Sequence, residues 1–187
     1  MAKYKTFGRP EAVWNKLGGE EGVDRFLRDE TMVMEKPRRI PCFYILSVDR
    51  SVRPTYPDGV EKVMHPDLEA TGPEQCDPGA AILYSHPKQK NGGWIKGNEL
   101  YAFLKETGLI EHCWSLRDGE ELKENPHLYP EAWKGKCIFL WKSVVLEHRS
   151  GALSVPYVYW NDGAVDLGWG WLVDDLCDAH PAALSAS

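Results

Sequence analysis

The sequence predicts an α+β protein, with helices in its first two thirds and an antiparallel β meander in its last third. Three observations carry this reading. Before Gly135, apolar residues recur at helical spacing in four segments. After Gly135, they fall in extended runs, and Asn161-Asp162-Gly163 between two of these runs is a hairpin signal, because Asp-Gly tolerates positive φ. The length of 187 residues, 43% of them hydrophobic, suits one domain that buries a core without disulfides or metal. The expected organisation is therefore a single domain over 1–187, with a scaffold over 1–135 and the C-terminal strands over 136–187.

The elements follow in order. Pro10 to Leu17 reads as a short helix, with Pro10 in its first turn, Val13, Trp14 and Leu17 on one face, and Gly18-Gly19 as the stop. Glu20 to Arg28 reads as a second helix, with Val23, Phe26 and Leu27 at i, i+3 and i+4. Cys42 to Val48 is a strand without clean alternation, which predicts cover on both faces. Asp49 to Pro78, rich in Pro, Gly, Asp and Glu, is a long irregular excursion of the kind that is functional or held by its own packing. Ala80 to Tyr84 is a short strand. Asn98 caps a helix with Leu100, Phe103 and Leu104 on its face, ended by Gly108. Leu116 to Lys123 is another helix. Cys137 to Leu146, Leu153 to Trp160 and Ala164 to Leu172 are the three strands of the meander.

Composition removes several functions. A formal charge of −6, with Lys36, Arg38 and Arg39 as the only basic cluster, argues against nucleic-acid binding. No apolar run approaches the roughly 18 residues of a membrane span, and no apolar stretch follows the basic N-terminus as a secretory leader would require. The expected location is cytoplasmic or reached by non-classical export. The five cysteines, Cys42, Cys76, Cys113, Cys137 and Cys177, lie far apart and read as reduced, mostly buried thiols. His112-Cys113 reads as a surface histidine beside a buried thiol. The six histidines show no metal-binding spacing, and Asn91-Gly92-Gly93 reads as a turn. Trp160-Asn161-Asp162 matches three residues of a calcium-lectin motif, but the partner motif is missing and a Ca²⁺ ion needs about six to eight oxygens. The sequence thus assigns no metal, cofactor or catalytic residue.

The composition breaks after Arg149. From Ser150 to Ser187 there is no Lys, Arg, Glu, Gln, Met, Phe, Ile or Thr, yet there are five aspartates: Asp162, Asp166, Asp174, Asp175 and Asp178. In the third strand, alternation separates Val165, Leu167, Trp169 and Trp171, a core face, from Ala164, Asp166, Gly168 and Gly170, an outward face. Glycines pack nothing in a strand. Their alternation therefore has two readings: a face whose side chains folding leaves unspecified, or an edge strand relieved by glycine.

The run Tyr157-Val-Tyr-Trp-Asn-Asp-Gly163, continuing to Trp171-Leu172 and Asp175 with the small-residue tail Pro181 to Ser187, resembles the C-terminus of variable proteins from diversity-generating retroelements of archaea, their viruses and uncultivated bacteria. Asn15 to Leu27 resembles a segment of the same proteins, so the likeness covers about the first 30 and the last 50 residues. The resemblance implies a C-type-lectin-like fold that displays diversified side chains on a fixed backbone. It also implies that an error-prone reverse transcriptase alters adenines, turning Asn codons into codons for a set that excludes Lys, Glu, Gln, Met and Trp. The positions it marks as variable and ligand-binding are Tyr157, Tyr159, Asn161, Asp166, Gly168, Gly170, Val173, Asp174, Cys177, Asp178 and His180, with Trp160, Trp169 and Trp171 as framework.

The expected function is non-enzymatic binding of a protein or a surface glycan by a monomer. Two rivals remain open at this level: a small enzyme using the Asp174/Asp175/Asp178 cluster as general base or metal site, and a structural subunit of a virion or surface appendage.

Overall fold

The computed structural model describes residues 44–186, which lie in the compact unit Pro41–Ser187. The two helices expected at Pro10–Leu17 and Glu20–Arg28, and Cys42, fall outside the described residues. Within them the chain is mixed α+β. Its elements are β1 (Leu46–Ser47), β2 (Val60–Val63), a one-turn helix α1 (Pro66–Glu69), β3 (Gln75–Cys76), β4 (Ile82–Tyr84), β5 (Ile95–Lys96), α2 (Gly97–Glu106), α3 (Leu116–Glu124), β6 (Ile138–Phe139), β7 (Val145–Glu147), β8 (Leu153–Asn161), β9 (Ala164–Trp171), β10 (Asp175–Leu176) and β11 (Ala182–Leu184).

A seven-stranded sheet runs β2-β7-β8-β6-β11-β4, with β9 on the other edge of β8. β8 and β9 pair antiparallel along their whole length, from Ser154↔Trp171 to Asn161↔Ala164. Asp162 (φ 42°) and Gly163 (φ 93°) close the hairpin. Two consecutive positive φ values make this the turn whose twist matches the strands, as the Asp-Gly pair predicts. The last strand, β11, returns to pair antiparallel with the early β4, so the segment between them, which contains α2 and α3, is closed into a loop.

The sheet has cores on both faces. Phe139, Trp141, Val155, Ala182 and Leu184 pack with Leu100, Tyr101 and Leu104 of α2. Their alternating neighbours Ile138, Leu140, Val158, Val165 and Ala183 pack with Leu46, Leu122, Trp114 and Trp133. Period-two alternation therefore distributes apolar residues to two cores, which is why β6, β8 and β11 read as nearly continuous apolar runs.

Several expectations are corrected. The strand expected at Cys42–Val48 pairs only at Leu46–Ser47, and it is buried on one face: Leu46 and Val48 are inside, Ser47 is out. The excursion at 49–78 is not irregular throughout, because it supplies β2, α1 and β3. It is tied down by a two-pronged ion pair from Arg50 to Asp118 (2.6 and 3.1 Å) and by hydrogen bonds from Tyr56 and Ser143 to Glu69. Helix α2 starts at Gly97, with Lys96 as its cap, instead of being capped by Asn98. Its first N–H groups donate to the carbonyls of Asp174 (3.0 Å) and Leu172 (2.7 Å), so the C-terminal segment does the capping. Gly97 permits this approach: a Cβ there would stand 2.8 Å from Leu172 Cα.

The long strand expected at Cys137–Leu146 is broken in two. Trp141–Ser143 form a 3-10 turn between β6 and β7, both of which pair with β8. The break places Trp141 in one core and lets Ser143 Oγ accept from the Leu116 N–H (2.8 Å) at the start of α3. The turn expected at Asn91-Gly92 is present, with φ of 57° and 78°, and Cys113 is buried beside an exposed His112. Cys76, Cys113, Cys137 and Cys177 are free thiols. Among the described residues no helix is long and apolar enough to cross a membrane.

Candidate binding face

The register of β8 on β9 decides which side chains share a surface. Tyr159 lies opposite Asp166, Tyr157 opposite Gly168, and Val155 opposite Gly170. With Asn161 these positions form one face, while Pro156, Val158, Trp160, Val165, Leu167, Trp169 and Trp171 form the other. All six strand positions marked by the resemblance therefore share one face, and its three framework tryptophans share the opposite one.

The faces are not simply outward and inward. Gly168 and Gly170 were expected to face outward, yet both lie under aromatic rings. A Cβ on Gly168 would stand 2.5 Å from Tyr157 Cζ, and one on Gly170 would stand 3.0 Å from Phe139 Cε1. β9 pairs only with β8, so among the described residues it is an edge strand, and rings fill the space its glycines leave. The expected core face also grades along the strand. Val165 is buried, Leu167 packs against the second core, Trp169 is half-buried with its ring 6.2 Å from that of Tyr56, and Trp171 is 39% exposed. The two cores lie diagonally across the sheet, so the side that is covered changes from one end of the hairpin to the other. Trp160, half-buried, is packed on Tyr129 (5.5 Å) with Lys134 Nζ 4.2 Å over its ring.

A ladder of rings runs along the candidate face. Tyr159 and Tyr157 are 5.7 Å apart, Tyr157 and Phe139 5.2 Å, and Phe139 and His180 5.8 Å. This ladder joins the strand positions to the segment after β9. There Cys177 N–H donates to His180 Nδ1 (3.0 Å), and the Cys177 thiol lies 3.4 Å from the same nitrogen. Nδ1 is thus an acceptor, which puts the ring proton on Nε2. Burial lowers the His180 pKa against the opposing pull of Asp178, and burial raises that of the Tyr157 phenol, so both rings are neutral near pH 7.

Three residues that sequence reasoning missed support or extend this face. Gln89 is fully buried and donates to the carbonyls of Cys177 (2.8 Å) and His180 (3.1 Å), fixing the segment that carries them. Phe139 is the central ring of the ladder, but in the sequence it looked like any strand residue. Trp94 is 59% exposed. It immediately precedes β5, which pairs with β10 so that Lys96 meets Asp175 and Ile95 meets Leu176. Its place after the Asn-Gly-Gly turn was the only available signal.

Charge on the face is less uniform than composition suggested. Asp175 is paired with Lys96 (2.9 Å), and Asp166 accepts from Asn161 Nδ2 (3.0 Å) with Lys123 at 4.0 Å. Among the described residues, Asp162, Asp174 and Asp178 have no ion pair. Within the same set, no three His, Cys, Asp or Glu side chains converge as metal ligands would, and Asp175 is turned to Lys96 instead of to its acidic neighbours. The face offers aromatic surface, phenolic hydroxyls and unpaired carboxylates, which are the groups of a recognition surface. Comparison with protein-family models, with curated proteins and with solved structures finds no match.

Proposed function

We propose that this chain is a non-enzymatic ligand-binding protein, of the type diversified by retroelements, whose variable side chains are displayed on a C-type-lectin-like scaffold. The observation that carries the reading is the segregation of positions by register. The six strand positions marked as variable share one face, and the tryptophans that such a mechanism cannot generate share the other. Ring contacts and Gln89 join Cys177 and His180, marked by the same resemblance, to the variable face. The finer fold reading draws support from β11 closing on β4 around the two longer helices. A rigid scaffold beneath a surface of small, aromatic and acidic residues is suited to changing its partner without refolding.

The deciding experiment is on DNA. The coding region for residues 150–187 should lie beside a reverse transcriptase gene and a near-copy of itself that differs only at adenines. A locus with neither would overturn the assignment.

A further inference from the structure

The binding face as drawn ends at the segment after β9, but the surface continues onto β5. Trp94 is the most exposed tryptophan among the described residues, and it immediately precedes the paired strand β5. The β5–β10 pairs hold the two residues that follow it. The hydrogen bonds from Gly97 and Asn98 to the Asp174 and Leu172 carbonyls hold the start of α2 just beyond. A large aromatic next to an anchored strand has only two side-chain torsions to give up when it makes a contact, which suits an interface anchor.

Its surroundings state what it would contact. The Nζ of Lys96 lies 5.8 Å from the Trp94 ring centroid and 2.9 Å from Asp175 Oδ1. The chain's own ammonium thus already rests between an indole and a carboxylate, as a partner's cation would. That lysine is about half exposed, and so is Asp175, so the internal pair is weak and replaceable. Asp174 and Asp178, exposed on either side, are among the carboxylates that no described cation neutralises. Val173, 57% exposed, adds apolar surface for the stem of a long side chain.

We propose that Trp94 and Asp175, with the variable Asp174 and Asp178 on the neighbouring segment, form a cation-accepting anchor at one end of the binding face, and that its occupant is a lysine- or arginine-bearing segment of a protein partner. The inference rests on the binding role proposed above and adds the partner's chemistry. Trp94 lies outside the diversified segment and Asp175 is not a marked position, so every variant would keep the indole and that carboxylate, while Asp174, Asp178 and the ladder from Tyr159 to His180 set which basic segment is preferred.

The test is a calorimetric titration of the whole protein with an octapeptide alternating arginine and glycine, its glutamate–glycine counterpart, and a neutral oligosaccharide. The arginine peptide should bind, and Trp94→Ala should weaken it about fivefold to tenfold, the loss of one partly desolvated cation–π contact. Lys96→Met should strengthen it by removing the competing ammonium. Raising salt from about 50 to 200 mM should weaken it, because exposed carboxylates are screened. The proposal is overturned if the arginine peptide does not bind, if Trp94→Ala leaves its affinity unchanged, or if the oligosaccharide binds through Trp94 equally well. A locus without the adenine-specific copy would overturn the family assignment and leave these titrations as they stand, so the two failures are distinguishable.

Discussion

Replacing Gly168 by alanine tests whether the glycines of β9 exist for the rings above them. The new Cβ would lie 2.5 Å from Tyr157 Cζ, 2.6 Å from Oη and 2.7 Å from Cε2. Carbon contacts settle near 3.5–4.0 Å, so the far half of the ring must move by about 1 Å. The ring also holds Phe139 at 5.2 Å and Tyr159 at 5.7 Å, and such pairs contribute about 0.5–1.5 kcal/mol each. Weakening both costs about 1–2 kcal/mol. Alanine offsets about 0.4–1 kcal/mol of this by restricting the unfolded chain. Gly168→Ala should therefore destabilise by about 0.5–1.5 kcal/mol in the native background. With Tyr157→Ala already present the obstacle is gone, and the same change should stabilise by about 0.4–1 kcal/mol. Urea unfolding of the four proteins in this cycle measures the coupling. A value within the roughly 0.5 kcal/mol expected of independent sites would refute the steric account.

The remaining predictions concern the scaffold. Asp118 accepts from the Ser115 N–H and hydroxyl at the start of α3 and from the Arg50 guanidinium, with both charged side chains almost fully buried. Asp118→Ala should cost about 3–5 kcal/mol, because it strands a buried guanidinium, and a loss under about 1 kcal/mol in urea unfolding would contradict this. Gly97→Ala forces a Cβ against the Leu172 backbone, which no side-chain rotation relieves, and should cost about 1–3 kcal/mol in the same assay. Burial holds the pKa values of both His65 and His180 below the ordinary 6.5. The unfolded chain therefore takes up protons first on acidification, so the stability these groups contribute is complete above 6.5 and is lost as pH falls through their folded-state values. The urea midpoint should drop below pH 6.5, and His65→Gln with His180→Asn should flatten that drop; an unchanged profile in the double variant would reject it.

What the sequence disclosed, and what it hid, follows the range of the interactions involved. The β8–β9 hairpin was legible because its turn is coded by two adjacent residues and its faces by alternation. Helix α3 was legible because its apolar face recurs along the chain. Helix α2 was found, but its cap was misread: Asn98 is a good capping residue, yet the carbonyls that serve the helix come from Leu172 and Asp174. The break at Trp141–Ser143 was invisible for a similar reason, since it exists to serve Leu116 and Glu69, both distant in sequence. The site shows the same division. Strand parity grouped Asp166, Gly168 and Gly170, and the resemblance marked Tyr157 and Tyr159, but Phe139, Gln89 and Trp94 join them only through pairings made in the folded chain.

These long-range pairings separate the marked positions into three kinds. Asn161, Val173, Asp174 and Asp178 are exposed, and in the fold their side chains meet at most one weak partner. Substitution there changes the surface without touching the core. Tyr157, Gly168 and Gly170 are different, because their space is shared with one another and with Phe139, which belongs to the first core. A larger residue at 170 meets a ring the scaffold cannot give up, and one at 168 requires a smaller or displaced neighbour at 157. Cys177 and His180 form a third case, since their backbone is fixed by Gln89 while their side chains bond to each other. A protein that varies this surface therefore has free choice at its rim and correlated choice at its centre. The ring of Phe139, buried in the first core, sets the limit between them.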